Sequence, residues 1–184
     1  IKSEFIKPIE GPQNHRKKLI QVLKEAESSI IILSGWATDY SINEEFRILL
    51  QEALRRGVKV YIGYGYQNSF EKKVEKETEK NAINTLKGLQ EWSAKVESRG
   101  RLYVRYYRNH AKVLICDYKY AINGSFNWLS NKGHSPNDER SWIVYENEFV
   151  KKEAEQIMSD FENPKNPANR RGFLNRFYQW TDYP

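Results

Sequence analysis

The 184-residue sequence is poor in sulfur: Cys116 is its single cysteine, and it has a single methionine. One cysteine cannot form an internal disulfide, and its apolar surroundings in the sequence suit a reducing cytoplasm, where we expect the protein to act. No apolar run approaches the roughly 18 residues of a membrane span. The first residues do not have the pattern of a secretory leader, so we do not expect export. The sequence thus indicates neither a disulfide scaffold nor a membrane-spanning protein.

Metal-binding patterns are also missing. The sequence contains no cysteine cluster, no HExxH segment and no pair of carboxylates at metal spacing. We therefore expect neither a metal nor another cofactor. Internal repeats are absent, and the biased composition is limited to the charged tract 71–80, which we expect to be a solvated helix or loop.

What is present suits a soluble globular domain with a basic surface. Hydrophobic residues make up 39% of the chain, which is long enough to bury one good core. The net charge is +6 and the isoelectric point is about 9.2. A basic excess favours a polyanionic partner and salt-sensitive binding. Because the sequence opens at Ile1 without an initiator methionine, we expect a piece of a longer polypeptide, which could carry fused domains.

The apolar periodicity predicts three parts. Residues 1–13, with two prolines and a glycine, form an extended lead-in, and residues 14–162 form the main domain. Apolar positions predict helices at 14–27, 42–56, 82–97 and 148–161, and strands at 29–34, 58–64, 102–107, 113–116, 118–122 and 142–145. This alternation with short connections favours an α/β fold, a mixed and mostly parallel sheet flanked by helices on both faces.

The third part, residues 163–184, interleaves basic and aromatic side chains: Arg170, Arg171, Phe173, Arg176, Phe177, Tyr178 and Trp180. We expect this extension to pack on the domain as a terminal helix. Stacking of the aromatic side chains on a single strand of nucleic acid is the alternative.

The chemistry is concentrated between His110 and Asn127. His110 and Lys112 are two residues apart in a strand-forming run, so alternation puts both side chains on one face of the strand. An imidazole can act as nucleophile or proton carrier near neutral pH, and an ammonium group suits phosphate. The pair therefore points to phosphate chemistry.

The second half of this stretch adds neutral hydrogen-bonding groups. A turn near Asp117 leads into a partner strand, which ends at Asn123-Gly124-Ser125, a turn signal that lets backbone approach a ligand closely. Ser125 and Asn127 then lie on the same side as each other. A histidine, a lysine, an amide and a hydroxyl converging on one pocket are typical of a phosphodiester site.

The spacing of these polar residues resembles that of a known family signature. The pattern HxK(x)4D(x)6GSxN, formed by His110, Lys112, Asp117, Gly124, Ser125 and Asn127, resembles the signature of the phospholipase D superfamily, and six positions at fixed spacing make a chance match improbable. The resemblance implies a phospholipase D-like fold. It also implies that an acidic residue beyond Asn127 orients the catalytic imidazole; Glu139 fits this place better than Asp138. We expect Asp117 to hold the turn or Lys112.

Catalysis in the resembled superfamily needs two such histidines facing each other across the phosphate, and this chain has one. The resemblance therefore implies a homodimer whose two-fold axis passes through the site. One His110 would form a phosphohistidine and the second would protonate the leaving oxygen. Lys112, Asp117, Ser125, Asn127 and Glu139 would complete the catalytic set, with Asp117 in an indirect role and without metal.

Short members with one motif resemble nucleases, so we expect a metal-independent nuclease acting on nucleic acid, DNA rather than RNA. The resemblance also suggests the effector domain of a bacterial restriction or defence protein as its setting. Two alternatives remain open. A phospholipid phosphodiesterase would need an exposed apolar stripe near the site, for which Phe126, Trp128 and Leu129 are the candidates. A non-cleaving nucleic-acid-binding module is the other alternative.

Four further residues are candidates for binding substrate: Trp36, Gly124, Trp128 and His134. Trp36 follows a predicted buried strand, at the end where open α/β sheets bind ligands, although a core position suits it as well. His134 is a candidate for the rim, with a purely structural role as the alternative. His15, at a predicted helix start, is interpreted as structural.

Overall fold

The computed structural model describes residues 5–65, 77–95, 99–106, 110–134 and 136–163. Within these ranges the chain forms one seven-stranded sheet and four helices. The elements in chain order are β1 (Ile6–Glu10), α1 (Pro12–Glu25), β2 (Ser29–Ser34), α2 (Glu44–Arg55), β3 (Lys59–Tyr64), α3 (Glu77–Lys95), β4 (Arg101–Tyr106), β5 (Val113–Cys116), β6 (Tyr120–Gly124), β7 (Arg140–Val144) and α4 (Asn147–Glu162). The strand order across the sheet is β1-β7-β6-β5-β2-β3-β4.

The interior strand β2 is buried along its whole length. Successive side chains of a strand point to opposite faces of the sheet, so Ile30 and Ile32 join the core formed with α1, α2 and α3. Ile31 and Leu33 pack into the second core, beneath α4. The predicted layering, with helices on both faces of the sheet, is confirmed.

The sheet is mixed, as predicted, but less of it is parallel than expected. Only β2, β3 and β4 pair in parallel, while β1, β7, β6, β5 and β2 pair antiparallel in turn. A parallel crossover needs about a dozen residues or more. The connections from β4 to β5 and from β5 to β6 are shorter, so β5 and β6 form a hairpin and β5 inserts beside β2. The helix-and-strand alternation of the first half does not continue into the second.

The expected lead-in contains the edge strand β1, which pairs antiparallel with β7. Helix α1 begins at Pro12 rather than after Asn14, since proline is suited to the first turn of a helix. Helix α2 begins after Asn43, whose side chain accepts a hydrogen bond from the Phe46 amide at 3.0 Å. Helix α3 begins at Glu77, inside the charged tract. Residues 71–76 of that tract and residues 164–184 of the extension lie outside the described residues.

Among the helices that the structure describes, none has a stretch both long and apolar enough to cross a bilayer.

Candidate active site

Strand register brings the predicted site to one edge of the sheet. Leu33 pairs with Val113, and Val113 with Asn123. Gly124 in turn pairs with Ser141. The residue before Val113, Lys112, therefore lies level with the carboxyl end of β2 and beside the segment that follows β6. This is the edge where open α/β sheets usually bind ligands.

His110 and Lys112 contact each other directly. The Lys112 Nζ atom lies 3.3 Å from each ring nitrogen of His110 and donates to its carbonyl oxygen at 3.1 Å. Lys112 is only 7% exposed, whereas His110 is exposed. Desolvation, together with the nearby ammonium of Lys112, lowers the pKa of His110. The imidazole is therefore neutral, and nucleophilic, over a wider pH range than an isolated histidine.

Glu139 is buried at this edge and pairs with Ser125, whose hydroxyl donates to its carboxylate. Desolvation lowers the pKa of Lys112, and the charge of Glu139 partly opposes this by raising it. The resemblance implies that Glu139 orients the His110 imidazole. The contacts observed for Glu139 instead place its carboxylate against Ser125 and in the electrostatic environment of Lys112. The Glu139 carboxylate thus supplies a negative charge that balances the buried ammonium of Lys112.

Asn127 follows β6 at the same edge. Its backbone carbonyl accepts hydrogen bonds from the amides of Ser130 and Asn131, which fixes the turn. The Oδ1 atom of its side chain is buried and has no hydrogen-bond partner among the described residues. Such atoms are rare in native proteins and point to a functional position. Because phosphodiester oxygens only accept hydrogen bonds, the Nδ2 group of Asn127, and not Oδ1, could donate to a phosphate.

Asp117 lies at the opposite end of the β5–β6 hairpin, away from His110. Its carboxylate accepts from the amides of Glu27, Ser28 and Ser29, at 3.2, 2.8 and 3.0 Å, and from the Ser28 hydroxyl at 2.8 Å. Burial by itself raises the pKa of Asp117, but these hydrogen bonds outweigh it and the pKa is lowered. The structure does not bring Asp117 to the other site residues; its carboxylate secures the α1–β2 connection.

Two predicted binding residues have structural explanations. Trp128 is fully buried in the core, so the interpretation of it as a substrate contact is wrong. Gly124 lies against β7, where an added Cβ would come within 2.5 Å of the Arg140 carbonyl oxygen. Close approach of a neighbouring strand therefore requires glycine here, rather than close approach of a ligand.

Trp36 and His134 are both exposed, but only Trp36 contacts the site. The rings of Trp36 and His110 meet edge to face, with centroids 6.3 Å apart. A core position for Trp36 is excluded, since it is 37% exposed. His134 makes no hydrogen bond or ring contact with His110 or Lys112 within the described part of the chain.

His15 contributes to the site in a way that the sequence analysis missed. It is fully buried beneath the Gly124–Asn127 segment, stacked on Phe126 at 4.8 Å. Its Nδ1 atom lies 2.7 Å from the Gly11 carbonyl oxygen and its Nε2 atom 2.8 Å from the Ser141 hydroxyl. A carbonyl only accepts, so Nδ1 carries the proton and Nε2 accepts from Ser141. Phe126 and Ser141 are distant from His15 in sequence, so no local signal could have found this role.

Among the described residues, no three histidine, cysteine, aspartate or glutamate side chains are grouped so that they could hold a metal ion. The groups that converge here are an imidazole, an ammonium, an amide and a hydroxyl. This set suits an anion such as a phosphodiester.

Comparison with known proteins agrees with this chemistry. The sequence profile of the family described as "Cardiolipin synthase, PLD-like domain" matches residues 19–163. The chain belongs to the phospholipase D-like family. The predicted resemblance and the predicted phospholipase D-like fold are thereby confirmed. Among curated proteins, none matches the chain.

Solved structures share the fold at low identity. Nuc from Salmonella typhimurium, a phospholipase D family member, has a TM-score of 0.59 and 19% identity over 86% of this chain and 95% of its own. TrmBL2, an archaeal chromatin protein that binds DNA, has a TM-score of 0.54 and 19% identity over 88% and 54%. Phosphatidylserine synthase from Haemophilus influenzae has a TM-score of 0.58 and 14% identity over 96% and 45%. At these identities the likeness establishes the fold.

Proposed function

We propose that this phospholipase D-like chain is a metal-independent nuclease that hydrolyses DNA through a phosphohistidine at His110. One observation carries the proposal: the His110 imidazole, whose pKa is lowered, contacts the buried Lys112 ammonium at the edge where Asn127 carries a side-chain amide group that can donate a hydrogen bond. These are the groups needed to attack phosphorus and to stabilise the charge that develops on its oxygens.

The reaction runs in two displacements. A ring nitrogen of His110 attacks phosphorus, a nitrogen–phosphorus bond forms, and the bond to the leaving oxygen breaks as that oxygen takes a proton. Water then attacks the phosphohistidine, gives up a proton, and releases the phosphate product and the free imidazole. Lys112 and Asn127 neutralise and hydrogen-bond the non-bridging oxygens throughout both steps.

A second imidazole must supply and then remove the proton. The described residues contain no other histidine at this edge with an exposed ring near His110, because His15 is buried and hydrogen-bonded at both nitrogens. We therefore propose an isologous homodimer in which His110 of a second copy protonates the leaving oxygen and then activates water. Each copy would contribute His110, Lys112 and Asn127 to one shared site.

DNA as the polymer is supported by charge and by likeness. The net charge of +6 favours a polyanion, and TrmBL2, which shares the fold, binds DNA. The phospholipid alternative is supported by the family description and by the likeness to phosphatidylserine synthase. However, the apolar stripe expected for lipid is not available, since Phe126, Trp128 and Leu129 are all fully buried.

Cleavage of supercoiled plasmid and single-stranded DNA in excess EDTA tests the proposal, with the wild type beside His110→Ala purified identically. We expect cutting by the wild type and a loss of roughly three orders of magnitude or more in the variant. Equal cutting by both proteins would contradict a role for His110. Hydrolysis of phospholipid vesicles with no cutting of DNA would favour the lipid alternative, and DNA binding without a product would favour a non-cleaving module.

A DNA-cleaving site shared between two copies makes a further prediction. Mixing His110→Ala with Lys112→Met protomers should not restore a site with two histidines and two lysines, so the heterodimer should remain far below wild-type activity. Full activity in a stable monomer, measured by sedimentation, would contradict the dimer.

A further inference from the structure

The loop between β2 and α2 exposes two large aromatic side chains at the active edge. Trp36 is 37% exposed while its ring meets that of His110, and Tyr40 is 65% exposed. Four residues of chain span at most about 14 Å, so both rings lie within reach of neighbouring nucleotides of one strand. Tyrosine and tryptophan are normally buried at least in part, so an exposed Trp36 beside His110 and a largely exposed Tyr40 on the same loop need an explanation.

The loop that carries these rings is held firmly. Ala37 bridges to Leu129, and the Thr38 amide donates to the Leu129 carbonyl at 2.8 Å. The amides of Ser41 and Ile42 both donate to the Thr38 carbonyl, at 3.1 and 2.9 Å, which closes the turn around Tyr40. A ligand that used the two rings would therefore lose little free energy in ordering them.

Buried side chains, including an arginine, also fix the position of this loop. Ala37 and Ile42 are buried, and the Arg16 guanidinium donates to the Ser41 carbonyl at 3.1 Å. The Ser41 hydroxyl donates to the Trp128 carbonyl at 3.2 Å. The fold thus supports this loop on the segment that also carries Asn127, so the exposed rings and the phosphate-binding groups form one rigid unit.

We propose that Trp36 and Tyr40 form a stacking subsite for unpaired nucleobases, so that the site selects single-stranded over double-stranded DNA; this rests on the nuclease function proposed above. Every base offers a flat face on which an aromatic ring can stack, whatever its sequence. In a duplex both faces of each base are covered by its neighbours. Stacking beside the reacting phosphate therefore requires a strand that is unpaired there.

The charged groups around the rings include one cation, Lys132, that could meet a phosphate, and one carboxylate, Asp39. Lys132 is exposed on the loop that supports Thr38 and Ser41. The nearby Asp39 accepts a hydrogen bond from Asn81 at 3.2 Å, which partly satisfies that carboxylate. A strand with one phosphate at His110 and adjacent bases on Trp36 and Tyr40 would meet positive charge and aromatic faces together, which is the combination used for single strands.

An abasic strand provides the direct test, because it keeps the phosphates and removes the bases. A thymidine oligonucleotide, the same length of abasic strand and a matched duplex are compared by equilibrium anisotropy and by kcat/KM in excess EDTA. The wild type should bind and cut the thymidine strand best. Trp36→Leu and Tyr40→Leu should each lower kcat/KM on that strand by about tenfold more than on the abasic strand, while Trp36→Phe and Tyr40→Phe should restore most of the loss.

Tyr118→Leu combined with Phe149→Leu provides the matched control. It also removes two exposed aromatic rings, but from the far end of the hairpin and the start of α4. We expect this double variant to prefer the thymidine strand as strongly as the wild type does.

The outcomes separate the subsite from the nuclease function. Equal losses on thymidine and abasic strands in the Leu variants, or equal binding of both strands by the wild type, would overturn the subsite and leave cleavage intact. A ring-dependent preference in binding, without cleavage of any strand, would support the subsite and reject the nuclease. If the same Leu variants lost hydrolysis of phosphatidylglycerol vesicles, and base content had no effect, the rings would be a lipid anchor instead.

Discussion

The two ends of the β5–β6 hairpin belong to one sequence motif, yet their buried polar groups differ in how completely they are hydrogen-bonded within the fold. At the Asp117 end, one carboxylate accepts hydrogen bonds from three consecutive amides and a hydroxyl. At the His110 end, the ammonium of Lys112 is buried against an imidazole, and Asn127 keeps a buried oxygen that no described residue satisfies. One end is satisfied within the fold, and the other retains capacity for a ligand.

This difference separates stability from function within a single motif. Hydrogen-bonded buried polar groups stabilise the fold, because removal of one group leaves its partners buried without a hydrogen bond. Buried charges with incomplete partners favour catalysis at the expense of stability. Mutations at the two ends should therefore have opposite signatures, with activity lost at one end and stability lost at the other.

The largest expected effect is at Lys112. Lys112→Met should lower kcat by about 10²- to 10³-fold, because a preorganised positive charge at the phosphate is lost. Its melting temperature should fall less than that of Asp117→Ala, since the loss of a desolvated ammonium offsets part of the cost of leaving Glu139 without its balancing charge. Lys119→Met, at the far end of the hairpin, is the matched control and should keep full activity. A melting temperature that falls sharply in Lys112→Met would remove the contrast between the ends.

The next effect is at Asp117. Asp117→Ala leaves the amides of Glu27, Ser28 and Ser29 without their acceptor, so urea unfolding should show a loss of about 3 kcal/mol. Activity per folded molecule should remain near the wild-type value. Asp138→Ala removes an exposed carboxylate and should change stability little. If Asp117→Ala lost activity while remaining as stable as the wild type, Asp117 would belong to the catalytic set after all.

The unfolding free energies of the wild type and Asp117→Ala should respond differently to acid. The lowered pKa of Asp117 means that its contribution is complete above the unfolded pKa, near 3.9, and is lost as pH falls through the folded value. The difference in unfolding free energy between wild type and Asp117→Ala should therefore shrink below about pH 4. A difference that stayed constant down to pH 2 would argue against an ionised Asp117 in the fold.

A smaller effect is expected at His15, which supports the active end from within the core. Burial lowers its pKa, so the unfolded chain takes up the proton first and this part of the stability is lost as pH falls below about 6.5. His15→Phe keeps a ring on Phe126 but should lose about 1 to 2 kcal/mol at pH 8. The gap from the wild type should narrow between pH 6.5 and 5, as followed by thermal unfolding. A gap that widens on acidification would mean that His15 is charged in the fold.

The smallest effect concerns Cys116, next to the satisfied end. Burial and the neighbouring Asp117 charge raise the pKa of its thiol to about 11. Little thiolate exists at pH 8, so a thiol reagent should label the native protein far more slowly than the urea-unfolded protein. Rapid labelling of the native state would show that this end opens readily.

Much of the fold could be predicted because its signals are local. The unbroken apolar run of β2, the apolar stripes of α2 and α4 and the HxK alternation all depend on the period of the backbone. The parallel part of the sheet was overestimated because the connections from β4 to β5 and from β5 to β6 are short, which the N-terminal helices and strands do not reveal. Strand β1 was missed because Pro8 and Gly11 resemble loop residues and an edge strand needs only one partner.

The sequence by itself determined which chemical groups this protein has and in what spacing, because a motif of six residues in one hairpin is a local property. Only the tertiary structure decided what each group does. Asp117 became structural because its partners at Glu27, 90 residues away, fold onto it. Trp128 is buried in the core and Trp36 is exposed, because burial depends on the packing between α1, the sheet and the loops. The sequence specifies the type of each side chain. The burial of that side chain and its hydrogen-bond partners depend on contacts between segments that are distant in sequence.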